Sequence, residues 1–422
     1  MFQEIRITNF KGFREADLKL TKLNLFVGEN GSGKSTIAHA FSIVKKSVGG
    51  PAINTDLPYI NLGSLDRLIP PGETASIMIR VSTNTKGKKT TRGDPFLFSL
   101  KIDFDLQGLF SNSTYAEIEG GYQPIRIEST WNRYGGAAQP SVELSLKEFP
   151  EASIMFGGTN IIGNLFQVGP MTYLKRSPSP EGINRLISYL NEIAYVIPPA
   201  ELRKIQVVPV FRGFLEPSYG LRPSAQQDLN VRGSILEAGA SVATALAYFK
   251  PPEKAKIQEW ISKVVSTKVD WLLIPGSQVG IFGSETDNYI TNEGFGTNQL
   301  LFILEEIMRA EQGSLIIIEE PEIHLHPRAQ FKLGQLMAQI VKEKDVQLIL
   351  NTHSERVISG VLSSIRKKLI DPDNASIWLF EKKDGTNTVT RSEISEDGTT
   401  DTGLKTFMEA SIAEIKEITS DN

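Results

Sequence analysis

The chain has 422 residues, 40% of them hydrophobic and 22% charged, with a net charge of −4 at neutral pH. This is the balance of an ordinary globular protein large enough for two or three packed lobes, and it argues against a uniformly basic nucleic-acid binder. The chain has no cysteine, which removes disulfides, thiol catalysis and zinc ribbons. No apolar run approaches the ~20 residues of a membrane span and the N-terminus lacks a signal-peptide core, so a cytoplasmic protein away from the membrane is expected.

In chain order, the opening reads as strands. Glu4–Thr8 alternates, Asp17–Leu20 is short, and Leu23–Val27 runs straight into Gly28-Glu29-Asn30-Gly31-Ser32-Gly33-Lys34-Ser35. A helix is expected from Thr36 to about Val44. From about Ser76 to Leu146 the apolar residues recur with period two, as in Ile77, Ile79 and Val81, with turns at Gly120-Gly121 and Gly135-Gly136, and this predicts an antiparallel layer. Lys86–Arg92, a basic run between two of these strands, reads either as a solvated hairpin tip or as a local basic patch.

The middle is more helical. Ile183, Leu186, Ile187, Leu190 and Ile193 have the spacing of an amphipathic helix, followed by helices near Ser234–Phe249 and Pro252–Val265 and a strand pair near Val269–Pro275 and Gln278–Phe282. The last third alternates: helix Asn298–Arg309, strand Ser314–Ile318, helix Arg328–Glu343, strand Val346–Leu350, helix Glu355–Ile370 and strand Ser376–Glu381. Such alternation predicts a parallel sheet. No repeat and no heptad run long enough for coiled-coil arms is found. The expected division is an N-terminal lobe at 1–160, an inserted, mostly helical subdomain at 161–285 and a C-terminal lobe at 286–422.

The Gly-rich segment is a complete phosphate-binding loop in its strand–loop–helix context. Its glycines let the backbone amides of Asn30, Gly31, Ser32 and Gly33 curl around phosphates, at the N-terminus of the helix that carries Thr36. Lys34 would reach the β- and γ-phosphates and the Ser35 hydroxyl would ligate Mg²⁺. Almost 300 residues later, the apolar run Leu315–Ile318 ends in Glu319-Glu320. Buried carboxylates there are costly unless they have work or partners. Glu319 is placed to hold the Mg²⁺ shell and Glu320 to act as general base on the attacking water. Three of the four histidines fall at His324, His326 and His353. A metal site lacks an obvious fourth ligand. His353, after a strand, is expected to contact the γ-phosphate, whereas His324 and His326 read as loop or interface residues.

Gly28–Thr36, Ile317–Pro327 and Thr352-His353-Ser354 together resemble the ABC-type ATPase heads of the RecF/SMC/OLD group, and most of all the standalone OLD-like bacterial ATPases. Asn9-Phe10-Lys11-Gly12-Phe13 is similar to their N-terminal signature, which would put Lys11 near the nucleotide. Asn292–Gln299 holds the place of the ABC signature, so that Gly296 and Thr297 would reach the γ-phosphate in the opposite subunit; the other reading is an ordinary helix cap. Arg212 is either a site residue or a structural one. The resemblance implies an α/β head, a mixed sheet with a parallel core flanked by helices, joined by the antiparallel layer and the inserted helical subdomain. It also implies an ATPase that uses ATP and Mg²⁺ and forms a homodimer or higher homo-oligomer through its ATP sites. Roughly 70 residues follow His353, too few for the Toprim domain of OLD nucleases, so a nuclease or toxin effector is expected on a separate chain, in anti-phage defence. The alternatives are a RecF-like DNA-binding repair ATPase, with DNA as a partner, and a nucleotide-bound scaffold.

Overall fold

A computed structural model describes residues 1–47, 53, 55–57, 59–83, 96–105, 113–119, 125–134, 137–146, 153–154, 199–222, 235–283, 285 and 287–400. In chain order the strands are β1 (Phe2–Phe10), β2 (Phe13–Lys19), β3 (Leu23–Gly28), β4 (Thr74–Thr83), β5 (Phe96–Asp105), β6 (Ser113–Glu119), β7 (Ile125–Tyr134), β8 (Ala137–Leu146), β9 (Ser153–Ile154), β10 (Ile205–Val208), β11 (Ser218–Gly220), β12 (Val269–Ile274), β13 (Gln278–Gly283), β14 (Leu315–Glu319), β15 (Gln347–Thr352), β16 (Ala375–Lys383) and β17 (Thr386–Ser392). The helices are α1 (Lys34–Ser47), α2 (Pro199–Arg203), α3 (Ile235–Tyr248), α4 (Pro251–Val264), α5 (Phe295–Arg309), α6 (Pro327–Lys344) and α7 (Glu355–Arg366). The expected helix around Ile183–Ile193, the basic run Lys86–Arg92 and the Gly120-Gly121 and Gly135-Gly136 turns lie outside the described residues.

The chain packs as two units, each built from segments far apart in sequence: residues 1–20, 36–205 and 382–388 in one, 21–35, 206–381 and 389–422 in the other. The first unit holds the antiparallel layer. β1 pairs antiparallel with β2 and β4, and β4 through β9 continue as neighbouring antiparallel strands. The period-two alternation has its physical basis here: Ile77, Ile79 and Val81 of β4 are buried, and the intervening Ser76, Met78, Arg80 and Ser82 lie on the other face of the pleat. Phe2 of β1 meets Phe41 of α1 edge to face, with ring centroids 6.0 Å apart.

The second unit holds the parallel core. β14 and β16 lie at its two sides, β15 pairs parallel with β14 and β3, and β3 pairs parallel with β16. β3, β14 and β15 are buried along their length, as strands of a parallel sheet usually are. Ile316, Ile318, Leu348 and Leu350 share one core with Leu300 and Leu304 of α5, Leu333 and Met337 of α6 and Val357 and Val361 of α7. Several element ends differ from the sequence expectation, and three of them bear on the site. α5 begins at Phe295, three residues before the expected Asn298, with Gly294 at its N-cap. β15 runs on through Asn351 and Thr352, polar residues that ladder and hydrogen-bond inside the unit. α7 stops at Arg366, two residues before Lys368 takes a left-handed φ of 56°.

Candidate nucleotide-binding site

Parallel register fixes the site. Because β3, β14 and β15 run the same way, their carboxyl ends open on one edge of the sheet, where α/β proteins bind ligands. β3 delivers the loop starting at Gly28, β14 delivers Glu319-Glu320, and β15 delivers Asn351, Thr352 and then His353. Gly28 must be glycine: its φ is 150°, and a Cβ there would stand 2.1 Å from the carbonyl oxygen of Phe380 on β16.

Gly31 and Gly33 take φ of 78° and 99°, the left-handed turns that only glycine adopts cheaply. Lys34 opens α1, and its ammonium donates to the carbonyls of Gly28 and Glu29, each at 2.8 Å. Burial lowers its pKa, and Glu319, Glu320 and Glu322 pull the other way. The Ser35 hydroxyl donates to Glu319 Oε2 at 2.8 Å. Glu319 is buried, which pushes its carboxyl upward, while the bonds from Ser35 and from Asn351 Nδ2 (2.7 Å to Oε1) hold it down. A hydroxyl and a carboxylate converging at this distance are hard oxygen donors. They match the one or two protein ligands that Mg²⁺ takes beside phosphate oxygens and water.

Glu320 leaves the ladder. Its amide still donates to Asn351 O at 2.8 Å, but its φ is 43°, in a left-handed region that costs a non-glycine residue about 1–2 kcal/mol. Arg212 holds this turn. Its guanidinium donates to the carbonyls of Glu319 (2.7 Å), Glu320 (2.8 Å) and Pro209 (2.7 Å). Hydrogen bonds from a charged donor are worth about 1.5–3 kcal/mol each, enough to offset the strain. Burial lowers the Arg212 pKa to about 10, so it stays cationic at neutral pH.

His353 is placed by its neighbours. Its amide donates to Glu322 Oε1 at 2.8 Å, which also accepts from Thr352 Oγ1 at 2.7 Å. Ser354 then caps α7, accepting from the Val357 amide at 3.2 Å. Burial, followed by the Lys34 charge, lowers the His353 pKa, so the ring is neutral at physiological pH and offers an N–H donor. His324 and His326 have other work: His324 meets Phe295 edge to face at 5.2 Å, and His326 Nδ1 accepts from the Arg328 amide at 3.3 Å to cap α6.

Gly296 and Thr297 sit in the first turn of α5, and a Cβ on Gly296 would stand 2.6 Å from His324 O. Asn298 fixes this turn, accepting from the Phe214 amide at 2.7 Å and donating to the Phe214 carbonyl at 2.8 Å. The unit therefore brings Lys34, Ser35, Glu319, Glu320 and His353 to one sheet edge, with Arg212, Glu322, Asn351 and Asn298 supporting them. Glu322 lies within the segment Ile317–Pro327 and Asn351 just before Thr352-His353-Ser354, but nothing in a single sequence marks them as partners of the site.

Lys11 belongs to the other unit. It has a φ of 47°, its amide donates to Leu68 O, and its ammonium lies 2.8 Å from His39 Nδ1 on α1. Burial, helped by the Lys11 charge, holds the His39 pKa down to about 3, against 6.5 ordinarily. The sign follows directly. Between those values the unfolded chain binds a proton that the folded chain refuses, so stability is intact above pH 6.5 and falls as the pH drops, by up to about 1.4 kcal/mol per unit. His39→Asn, whose Oδ1 keeps an acceptor for Lys11, should flatten the fall in melting temperature between about pH 7 and pH 5. Equal slopes in the two proteins would sink this assignment.

The chain matches the AAA_15 family, described as an AAA ATPase domain, over residues 1–152 and 220–358. It belongs to that family. An OLD nuclease of Thermus scotoductus is 23% identical over 366 residues, which are 84% of this chain and 59% of that protein. The AAA_15 chain therefore spans less than two thirds of that relative's length. A crystal structure of an SMC head bound to the C-winged helix domain of ScpA is 14% identical, covering 94% of this chain and 98% of that one, with a TM-score of 0.50. An SMC head domain from Thermotoga maritima is 13% identical over 93% of this chain and 99% of that one, with a TM-score of 0.44. The fold is thus similar to that of an SMC head, and the chain carries an AAA ATPase domain.

Proposed function

We propose that this chain hydrolyses ATP with Mg²⁺ and works as a switch that dimerises around the nucleotide. The observation that carries the reading is the 2.8 Å contact between Ser35 and Glu319, with Glu320 next in sequence and Lys34 on the adjacent residue. In this reading the amides of Asn30–Gly33 and the start of α1, through Thr36, cradle the phosphates, and Lys34 leaves its loop carbonyls for phosphate oxygens. Ser35 and Glu319 hold the metal, which when bound neutralises charge on the phosphates. Glu320 takes a proton from the water that attacks the terminal phosphorus, ADP leaves, and His353 donates to the departing phosphoryl group. Gly296 and Thr297 of a second copy complete the site, closure follows from higher affinity of the dimer for ATP than for ADP, and Lys11 lies near the nucleotide.

The finer role is control of a separate effector protein, a nuclease or toxin, in prokaryotic anti-phage defence, with 161–285 as the inserted sensing subdomain. The likeness to the OLD nuclease supports it. One series of incubations tests both levels. Wild-type protein should release phosphate from ATP with Mg²⁺ and stop with EDTA, and Lys34→Ala should lose about 10³-fold in kcat/KM. No phosphate release by the wild type removes the ATPase reading; turnover undiminished by EDTA removes the metal from it, and turnover undiminished in Lys34→Ala removes this site. The same protein run over DNA should leave it uncut, and cleavage by this chain alone would remove the separate effector.

A further inference from the structure

We infer that Arg212 is the positioning residue of the hydrolytic carboxylate, and that Arg212–Phe214 ties that carboxylate to the helix carrying Gly296 and Thr297. The inference rests on Glu320 being the base, and its geometry is separate from that assignment. Arg212 is 2% exposed, an unusual burial for a cation. It forms no contact of its own with the loop Gly28–Ser35 among the hydrogen bonds of the described residues; its Nη1 and Nη2 donate to backbone carbonyls. Two of those carbonyls belong to Glu319 and Glu320, just where the chain leaves β14 and φ turns positive. The direction in which the Glu320 side chain projects is set by that peptide, and Arg212 fixes it from one side while Asn351 O fixes the Glu320 amide from the other.

The same segment reaches α5. Gln299 Nε2 lies 3.5 Å from Arg212 O, and both backbone groups of Phe214 are held by the Asn298 side chain, which copies the partner a strand would supply. Gly213, at φ 125°, brings the backbone so close that a Cβ would stand 2.9 Å from Asn298 Oδ1. Asn298 and Gln299 directly follow Thr297. A shift of the first turn of α5 therefore pulls on Phe214 and Arg212, and through the guanidinium on the carbonyls of Glu319 and Glu320. In the proposed dimer, engagement of one subunit's α5 with its partner's nucleotide would thereby adjust its own hydrolytic carboxylate.

The Arg212 fork reaches three carbonyls from two nitrogens, those of Pro209, Glu319 and Glu320; the single nitrogen of a shorter lysine keeps the charge and loses at least one of them. Arg212→Lys should thus lower kcat by about 10²-fold, the scale of a small misplacement, with nucleotide Kd nearly unchanged; the lost carbonyl bond also lowers the melting temperature, so rates are compared where the variant is fully folded. In a Glu320→Gln background, Arg212→Lys should cost almost nothing more, because residues acting as a unit are not additive. Asn298→Ala should lower kcat in the same direction by a smaller factor. Three results overturn the inference: wild-type kcat in Arg212→Lys, the full loss repeated in the Glu320→Gln background, or a loss of nucleotide affinity or of folded protein that accounts for the loss in rate. Unchanged turnover in Asn298→Ala removes the tie to α5. Wild-type turnover in Glu320→Gln would remove the base assignment itself, whereas an inactive Glu320→Gln beside an unimpaired Arg212→Lys removes Arg212 alone.

Discussion

Glu320→Gln should abolish turnover and leave the protein bound to ATP. The substitution is isosteric, and the contacts that hold residue 320 are backbone contacts: its amide to Asn351 O and its carbonyl from Arg212. The fold around the site is therefore retained, and the φ of 43° is no worse for Gln than for Glu. What is lost is the proton acceptor, and removing a general base costs 10²–10⁴-fold as a typical range, so a fall in kcat of at least about 10³-fold is expected. Affinity should move the other way. One negative charge is removed beside Lys34 and the place of the terminal phosphate, where charges of like sign repel through a partly desolvated site. With ATP and Mg²⁺ the variant should accumulate as a dimer by light scattering, while the wild type returns to its smaller form as ATP is consumed. Turnover at the wild-type rate would move the base elsewhere. A silent variant that stays monomeric with ATP would keep the base and remove the nucleotide-bridged dimer.

The parts of this site that could be read in advance are those whose chemistry is local. The loop Gly28–Ser35 declares itself because glycine spacing, lysine and hydroxyl must all lie within one turn and the start of one helix. Glu319-Glu320 declares itself because an apolar strand ending in two acids needs a reason. Arg212 reads in sequence as either a site residue or a structural one, and its sequence does not decide between them: its carbonyl partners are 107 and 108 residues away, and a lone arginine is the same whether it faces solvent or a strand end. Glu322 and Asn351 were equally mute, since their roles exist only once β14 and β15 lie side by side. In the fold, the period-two strands followed from pleating and the parallel core from alternation. The start of α5 did not, because glycine at Gly294 and Gly296 argues for a loop until the close approach to His324 is seen.

The crossing of α6 and α7 sets two physical effects against each other, and the larger one can be named. Gly334 and Gly360 sit inside helices, where glycine costs about 1 kcal/mol relative to alanine, so propensity alone makes Gly334→Ala stabilising. Packing says otherwise. A Cβ on Gly334 would stand 2.2 Å from Val357 O, and one on Gly360 would stand 2.1 Å from Phe331 O. Both obstacles are backbone atoms, so no rotamer change relieves them and the helices must part. Overpacking costs about 1–3 kcal/mol where side chains can shift, and the upper end is the floor here. Gly334→Ala should therefore lower the melting temperature by about 4 °C or more after the propensity gain is subtracted. Gly360→Ala should do the same, and the double variant should cost less than the sum, because both strain one crossing. The effect reaches the chemistry. α6 starts just after the Glu320–His326 turn and α7 starts just after His353, so parting the two helices displaces Glu322 and His353 relative to each other and loosens the 2.8 Å bond between them. Loss of kcat together with the fall in melting temperature is the expected pairing. A rise in melting temperature for either single variant would mean that the helices have room to slide and that propensity governs this crossing.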